Sequence, residues 1–132
     1  MASVKLEGHY TRAVDIDMCP RCHLVWFDAF ESVRLSGLGW VQLLHQMLAA
    51  PAATAVLAQP LRCVRCAGPL AGVRNLTRFG RTAALECVKE HGQYQSFSLL
   101  LAERGLVRPL NSRDRQALVQ EGREWGCLNC GA

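Results

Sequence analysis

Seven cysteines and four histidines stand in a chain of 132 residues. Six of the cysteines form three Cys-x-x-Cys pairs: Cys19-Pro-Arg-Cys22, Cys63-Val-Arg-Cys66 and Cys127-Leu-Asn-Cys130. A pair at this spacing sits on a short turn that aims both sulfurs at one ion, and thiolate with imidazole is the donor set zinc takes in structural sites. The seventh, Cys87, has no cysteine near it, but His91 follows four residues on in Cys87-Val-Lys-Glu-His91. Seven thiols and one histidine make eight ligands, enough for two closed tetrahedral sites, so two zinc ions per chain are expected. An odd number of cysteines fits a disulfide framework badly.

The middle site follows from spacing. Cys63 and Cys66 are followed about twenty residues later by Cys87 and His91, within the zinc-ribbon range. Between them, Gly-Pro and Phe-Gly-Arg turn signals flank two strand-like runs, so the predicted order is knuckle, strand, turn, strand, knuckle. The outer site has two readings. In one, Cys19 and Cys22 share an ion with Cys127 and Cys130, closing a loop of about a hundred residues around the middle ribbon. In the other, Cys127 and Cys130 open a further ribbon completed beyond Ala132, and His9 and His23 serve Cys19 and Cys22.

The elements that must position these groups are short. Val14, Ile16 and Met18 alternate with polar residues, which predicts a half-buried strand running into Cys19. Trp26 and Phe27 are expected to cover the apolar side of that knuckle. Asp28 and Glu31 have capping-box spacing and predict a helix ending near Ser36, with Gly37 and Gly39 as stops. A second helix is predicted over Trp40–Ala50, with Val41, Leu44, Met47 and Leu48 inward, His45 at the stripe's edge and Pro51 as terminator. Phe97, Leu100 and Leu101 predict a helix over Ser96–Arg104 capped by Gly105, and Ser112–Glu121 a polar one with Leu118 inward. No internal repeat is visible beyond the knuckles. The expected fold class is small α+β: short antiparallel hairpins on zinc knuckles, with accessory helices. The expected organisation is a first ribbon half with helices (1–50), a linker (51–60), the central ribbon with a helix (61–110), and a polar helix with the terminal knuckle (111–132).

The stretch Ile16-Asp-Met-Cys-Pro-Arg-Cys-His-Leu-Val-Trp-Phe-Asp28, with Glu31 and Leu35, resembles the second half of the transcription-factor-IIB-type zinc ribbon of bacterial proteins. That pattern is Cys-Pro-x-Cys-x-Gly-x-Trp-x-Asp-x-x-Glu and an apolar residue, matched over about 25 residues at Cys19, Pro20, Cys22, Trp26, Asp28 and Glu31. Two departures stand out. His23 and Leu24 replace the glycine-type turn, and the family's first knuckle is missing upstream of Cys19. More of the chain, including Cys63–Cys66 and His91-Gly92, is similar to larger uncharacterised proteobacterial proteins with this ribbon. The resemblance implies zinc binding and a ribbon fold, and implies no reaction.

Charge and composition bound the function. The formal net charge is +4. It is −1 over residues 1–60, +4 over 61–91 and +1 over 92–132, so the excess lies on the central ribbon. Arg62, Arg65, Arg74, Arg78 and Arg81 are therefore candidate nucleic-acid contacts, with Phe79 and Tyr94 nearby for bases. Four ligands in each of two sites leave no open coordination position. His-Glu-x-x-His, phosphate-loop and nucleophile-elbow motifs are absent, so no enzyme and no small-molecule substrate are expected. The expected role is an interaction module for protein or nucleic acid; a thiol and metal redox switch, most exposed at Cys127–Cys130, is the alternative. Leu38–Leu57 is apolar but carries Gln42, His45, Gln46 and Pro51, which argues against a membrane span. With no signal peptide in the first twenty residues, a cytoplasmic location is expected.

Overall fold

The alternating run before Cys19 forms a strand. The computed structural model describes residues 1–51, 60–107 and 110–122. In it Ala13–Cys19 (β2) buries Val14, Ile16 and Met18 on one face. It pairs antiparallel with Ala2–Glu7 (β1) on one side and Leu24–Asp28 (β3) on the other. The second half of the chain contributes Leu70–Thr77 (β4), Gly80–Cys87 (β5) and Gly92–Ser96 (β6). All six strands join in one antiparallel sheet of order β1-β2-β3-β6-β5-β4.

That order contains an internal repeat beyond the three Cys-x-x-Cys knuckles. Each half is a hairpin followed by a turn bearing cysteine and a third strand, and the two third strands meet at the centre. A shift of 68 residues carries the pair Asp17–Trp26 onto Leu85–Tyr94. The same shift exchanges Leu24–Ser96 with Asp28–Gly92, as an approximate two-fold axis through Trp26–Tyr94 requires. It also places Cys19 on Cys87 and His23 on His91.

Successive side chains of a strand point to opposite faces, and here the two faces do different work. On one, Val14, Ile16, Met18, Val25 and Phe27 pack with Leu35, Leu43, Met47, Phe97 and Leu100 from the helical segments. On the other, Leu24, Trp26 and Tyr94 pack with Cys63 and Cys87. Trp26 therefore lies on the cysteine side, though with Cys63 and Cys87 rather than over the Cys19–Cys22 knuckle, of which only Cys22 packs against that cluster. Phe27 turns to the helical side, its ring 5.9 Å from that of Trp40.

The helices differ from expectation in detail. The first is a single turn, Glu31–Arg34 (α1). The second, Gly37–Ala49 (α2), starts through the two glycines rather than after them. Ser36 caps it, its hydroxyl accepting from the Gly39 N–H at 3.0 Å. Gly39 is needed for contact, because a Cβ there would overlap the Glu7 carbonyl oxygen of β1. The buried stripe is Gly39, Leu43 and Met47; Val41 and Leu48 are exposed, as is His45. Phe97–Glu103 (α3) is capped by Ser96 and ends at Gly105 in the left-handed region, as predicted. Ser112–Gln120 (α4) buries no residue. No described helix is long and apolar enough to cross a membrane. Most of the proposed linker, residues 52–59, lies outside the described residues.

Candidate metal centre

The β4–β5 hairpin pairs Leu70 with Cys87 and so brings the chain on either side of it to one place. Before β4, the Cys63–Cys66 segment folds into a turn: the Cys63 carbonyl accepts from the Ala67 N–H at 2.9 Å, and the Cys63 N–H donates to the Gly68 carbonyl at 3.0 Å. After β5, the Cys87 carbonyl accepts from the Glu90 N–H at 2.8 Å. The chain then passes through a left-handed residue, Glu90, to His91. Gly92 follows because a side chain there would overlap the Phe27 carbonyl oxygen of β3.

These two turns bring one donor atom each from Cys63, Cys66, Cys87 and His91 to within 4.8 Å of one another. The group can hold a metal ion. Cys66 Sγ lies 3.8 Å from Cys87 Sγ, and His91 Nδ1 lies 3.7 Å from Cys63 Sγ and 3.6 Å from Cys87 Sγ. A regular tetrahedron built on zinc bond lengths has edges of about 3.8 Å between sulfurs and about 3.6 Å from sulfur to nitrogen. Backbone N–H groups point at two of the sulfurs: Arg65 donates to Cys63 at 3.3 Å and Lys89 to Cys87 at 3.4 Å. Such bonds stabilise negative sulfur. Burial works to raise the Cys87 thiol, but the N–H groups of His91 and Lys89 and the neighbouring thiols outweigh it and bring its pKa down to about 6. Burial dominates at Cys63 and pushes its thiol up. Cys63 and Cys87 are buried, and Trp26 and Tyr94, edge to face at 4.8 Å, lie in the same apolar cluster.

Arg65, inside the Cys63–Cys66 turn, ties this centre to the first half of the chain. Its guanidinium grips Asp28 with two nitrogens, Nε at 2.8 Å from Oδ1 and NH2 at 2.6 Å from Oδ2, and reaches Asp17 at 3.2 Å. Asp28 also accepts from Trp26 Nε1 at 2.7 Å, and these donors hold its carboxyl below the usual carboxylate range. Two sequence expectations change here. Arg65 is not a free cation but is engaged by two carboxylates of its own chain. Asp28 is not a helix cap; Glu31 reaches back to the Asp28 N–H at 2.7 Å as in a capping box, while the Asp28 carboxylate serves Arg65 and Trp26.

The remaining candidates fall elsewhere. Cys19 and Cys22 flank the β2–β3 turn, partly exposed, with a hydrogen bond between the thiols and burial together raising Cys22. Among the described residues no histidine or carboxylate joins them in a metal-sized group. His9 is exposed. His23 is buried, stacked on Phe97 at 4.7 Å with Nε2 2.6 Å from the Pro51 carbonyl oxygen, so it does not serve Cys19 and Cys22. Cys127 and Cys130 lie outside the described residues. Arg62 bonds the Ala67 carbonyl at 3.3 Å, while Arg74, Arg78 and Arg81 stand exposed on the β4–β5 hairpin. Tyr94 is mostly buried against Trp26 and is not an open stacking surface. No protein-family model, curated protein or solved structure matches the chain.

Proposed function

We propose that this chain is a zinc-ribbon protein whose work is binding rather than catalysis. The observation that carries the reading is the gathering of Cys63, Cys66, Cys87 and His91 within 4.8 Å of one another, with the Cys66–Cys87, Cys63–His91 and Cys87–His91 separations close to the edges of a zinc tetrahedron. The knuckle–hairpin–knuckle order around β4 and β5 supports the ribbon assignment. The resemblance of residues 16–35 to the transcription-factor-IIB-type ribbon supports it from the other half of the chain. Four protein donors fill a tetrahedral ion and leave no position for substrate or water, which favours a structural ion.

A second zinc belongs to the same proposal. Cys19 occupies the place of Cys87 in the internal repeat, and Cys22 follows it three residues on. Cys127 and Cys130 are the thiols left to complete it, giving a site of four thiolates.

Elemental analysis with native mass spectrometry, on protein purified without added metal, tests both parts. Two zinc ions per monomer are expected. One would confine the account to the central site, and none, or iron in place of zinc, would overturn it.

A further inference from the structure

The central hairpin carries a patch that the metal site leaves unused. Residues 70–85 contain three arginines and no acidic residue. Leu76 pairs with Arg81 and Arg74 with Ala83, so Arg74, Leu76 and Arg81 share one sheet face. Arg78 stands at the hairpin tip with its guanidinium 4.5 Å above the Phe79 ring. None of the three arginines forms an ion pair among the described residues; the ion pairs found there belong to Arg65. Leu76, between two of these cations, is 81% exposed.

Beside the patch runs a groove of about 400 Å³ lined by Leu61, Gly72, Ala83, Leu85 and Tyr94, with Arg74 at its rim. Its floor is small and apolar; a Cβ on Gly72 would meet nothing within 4 Å. A row of unpaired cations beside an apolar slot matches a polymer whose repeating unit joins an anion to a flat, weakly polar ring. An acidic peptide would answer the cations and leave the slot empty.

We propose that this face of the β4–β5 hairpin binds single-stranded nucleic acid, with phosphates on Arg74, Arg78 and Arg81 and a base in the groove. The proposal rests on the zinc-ribbon reading, because the ion would anchor the open ends of this hairpin.

The test is fluorescence anisotropy with a labelled 15-nucleotide oligo-dT, on full-length protein whose zinc content is measured in parallel. Binding is expected in the micromolar range at low salt. The logarithm of affinity should fall against the logarithm of salt with a slope of about −2, from three phosphate contacts on a single strand. Arg74→Gln, Arg78→Gln and Arg81→Gln together should weaken binding at least tenfold with zinc content unchanged. The three Lys replacements should keep most of it. Gly72→Leu, which fills the groove, should weaken binding with the salt slope unchanged. No binding at 100 µM protein, salt-independent binding, an unaffected triple Gln variant, or equal displacement of the oligonucleotide by poly-glutamate or ATP would each overturn the proposal. Loss of zinc in the wild-type chain would instead count against the ribbon reading.

Discussion

The Arg65–Asp28 pair joins the Cys63–Cys66 turn to the first half of the sheet, and its strength follows from its surroundings. The side chains are 47% and 29% exposed, so the pair is screened well short of a buried one. An exposed ion pair contributes at most about 1 kcal/mol, and two-pronged hydrogen bonding raises that, so a coupling energy of about 1–2 kcal/mol is expected. The single changes should not be equal. Arg65→Ala removes its ion pairs with Asp28 and Asp17 and should cost about 1–2 kcal/mol. Asp28→Ala also strips the acceptor from the indole N–H of the fully buried Trp26 and should cost about 2–4 kcal/mol. Asp28→Asn restores a neutral acceptor and should fall between the two. The assay is a double-mutant cycle by urea unfolding at fixed free zinc, because zinc binding to the folded state adds to its stability. A coupling below about 0.3 kcal/mol, or equal costs for Arg65→Ala and Asp28→Ala, would refute this account of how the turn is held.

Three further outcomes can be checked on the same purified protein. Asp28 titrates below the usual carboxylate range, so its stabilisation is present above the unfolded value of about 4 and is lost as pH falls through the folded value. The stability difference between wild type and Asp28→Asn, in which proton competition at the thiolates cancels, should therefore shrink below about pH 4; a constant difference would contradict the pairing. Gly39→Ala should lower the urea midpoint by the equivalent of about 2–3 kcal/mol, since its Cβ has to displace β1, while Gly37→Ala, facing open space, should be near neutral. Leu43→Ala should cost about 2–5 kcal/mol and Leu48→Ala less than about 0.5, the reverse of what a stripe through Leu48 would give.

The central site was legible because its chemistry is local. Two short turns and the length of one hairpin decide whether Cys63, Cys66, Cys87 and His91 meet, and each is written in consecutive residues. The strand into Cys19 and the helix from Phe97 were legible for the same reason. The joining of both halves into one sheet was not. Between residues 13–28 and 81–96 only Cys19/Cys87 and His23/His91 are identical, so the repeat lives in backbone pairing rather than in side chains. His23 shows how far the halves have diverged: it stands where His91 offers Nδ1 to the sulfurs, yet it is stacked on Phe97 against the opposite layer. The glycines before Trp40 read as helix stops by propensity, and tertiary contact overrode it, because β1 crosses too near α2 for any side chain at Gly39. Arg65 read as a free cation because the carboxylates that engage it, Asp17 and Asp28, lie far away in sequence and reach it only through the sheet.

The central claim is that Cys63, Cys66, Cys87 and His91 hold one tetrahedral zinc ion. X-ray absorption on a variant with Cys19, Cys22, Cys127 and Cys130 all replaced by serine examines that site alone. The account predicts one zinc per chain, with three sulfurs at about 2.3 Å and one nitrogen at about 2.0 Å. A zinc-free variant, or a shell of oxygens or of four sulfurs, would contradict it.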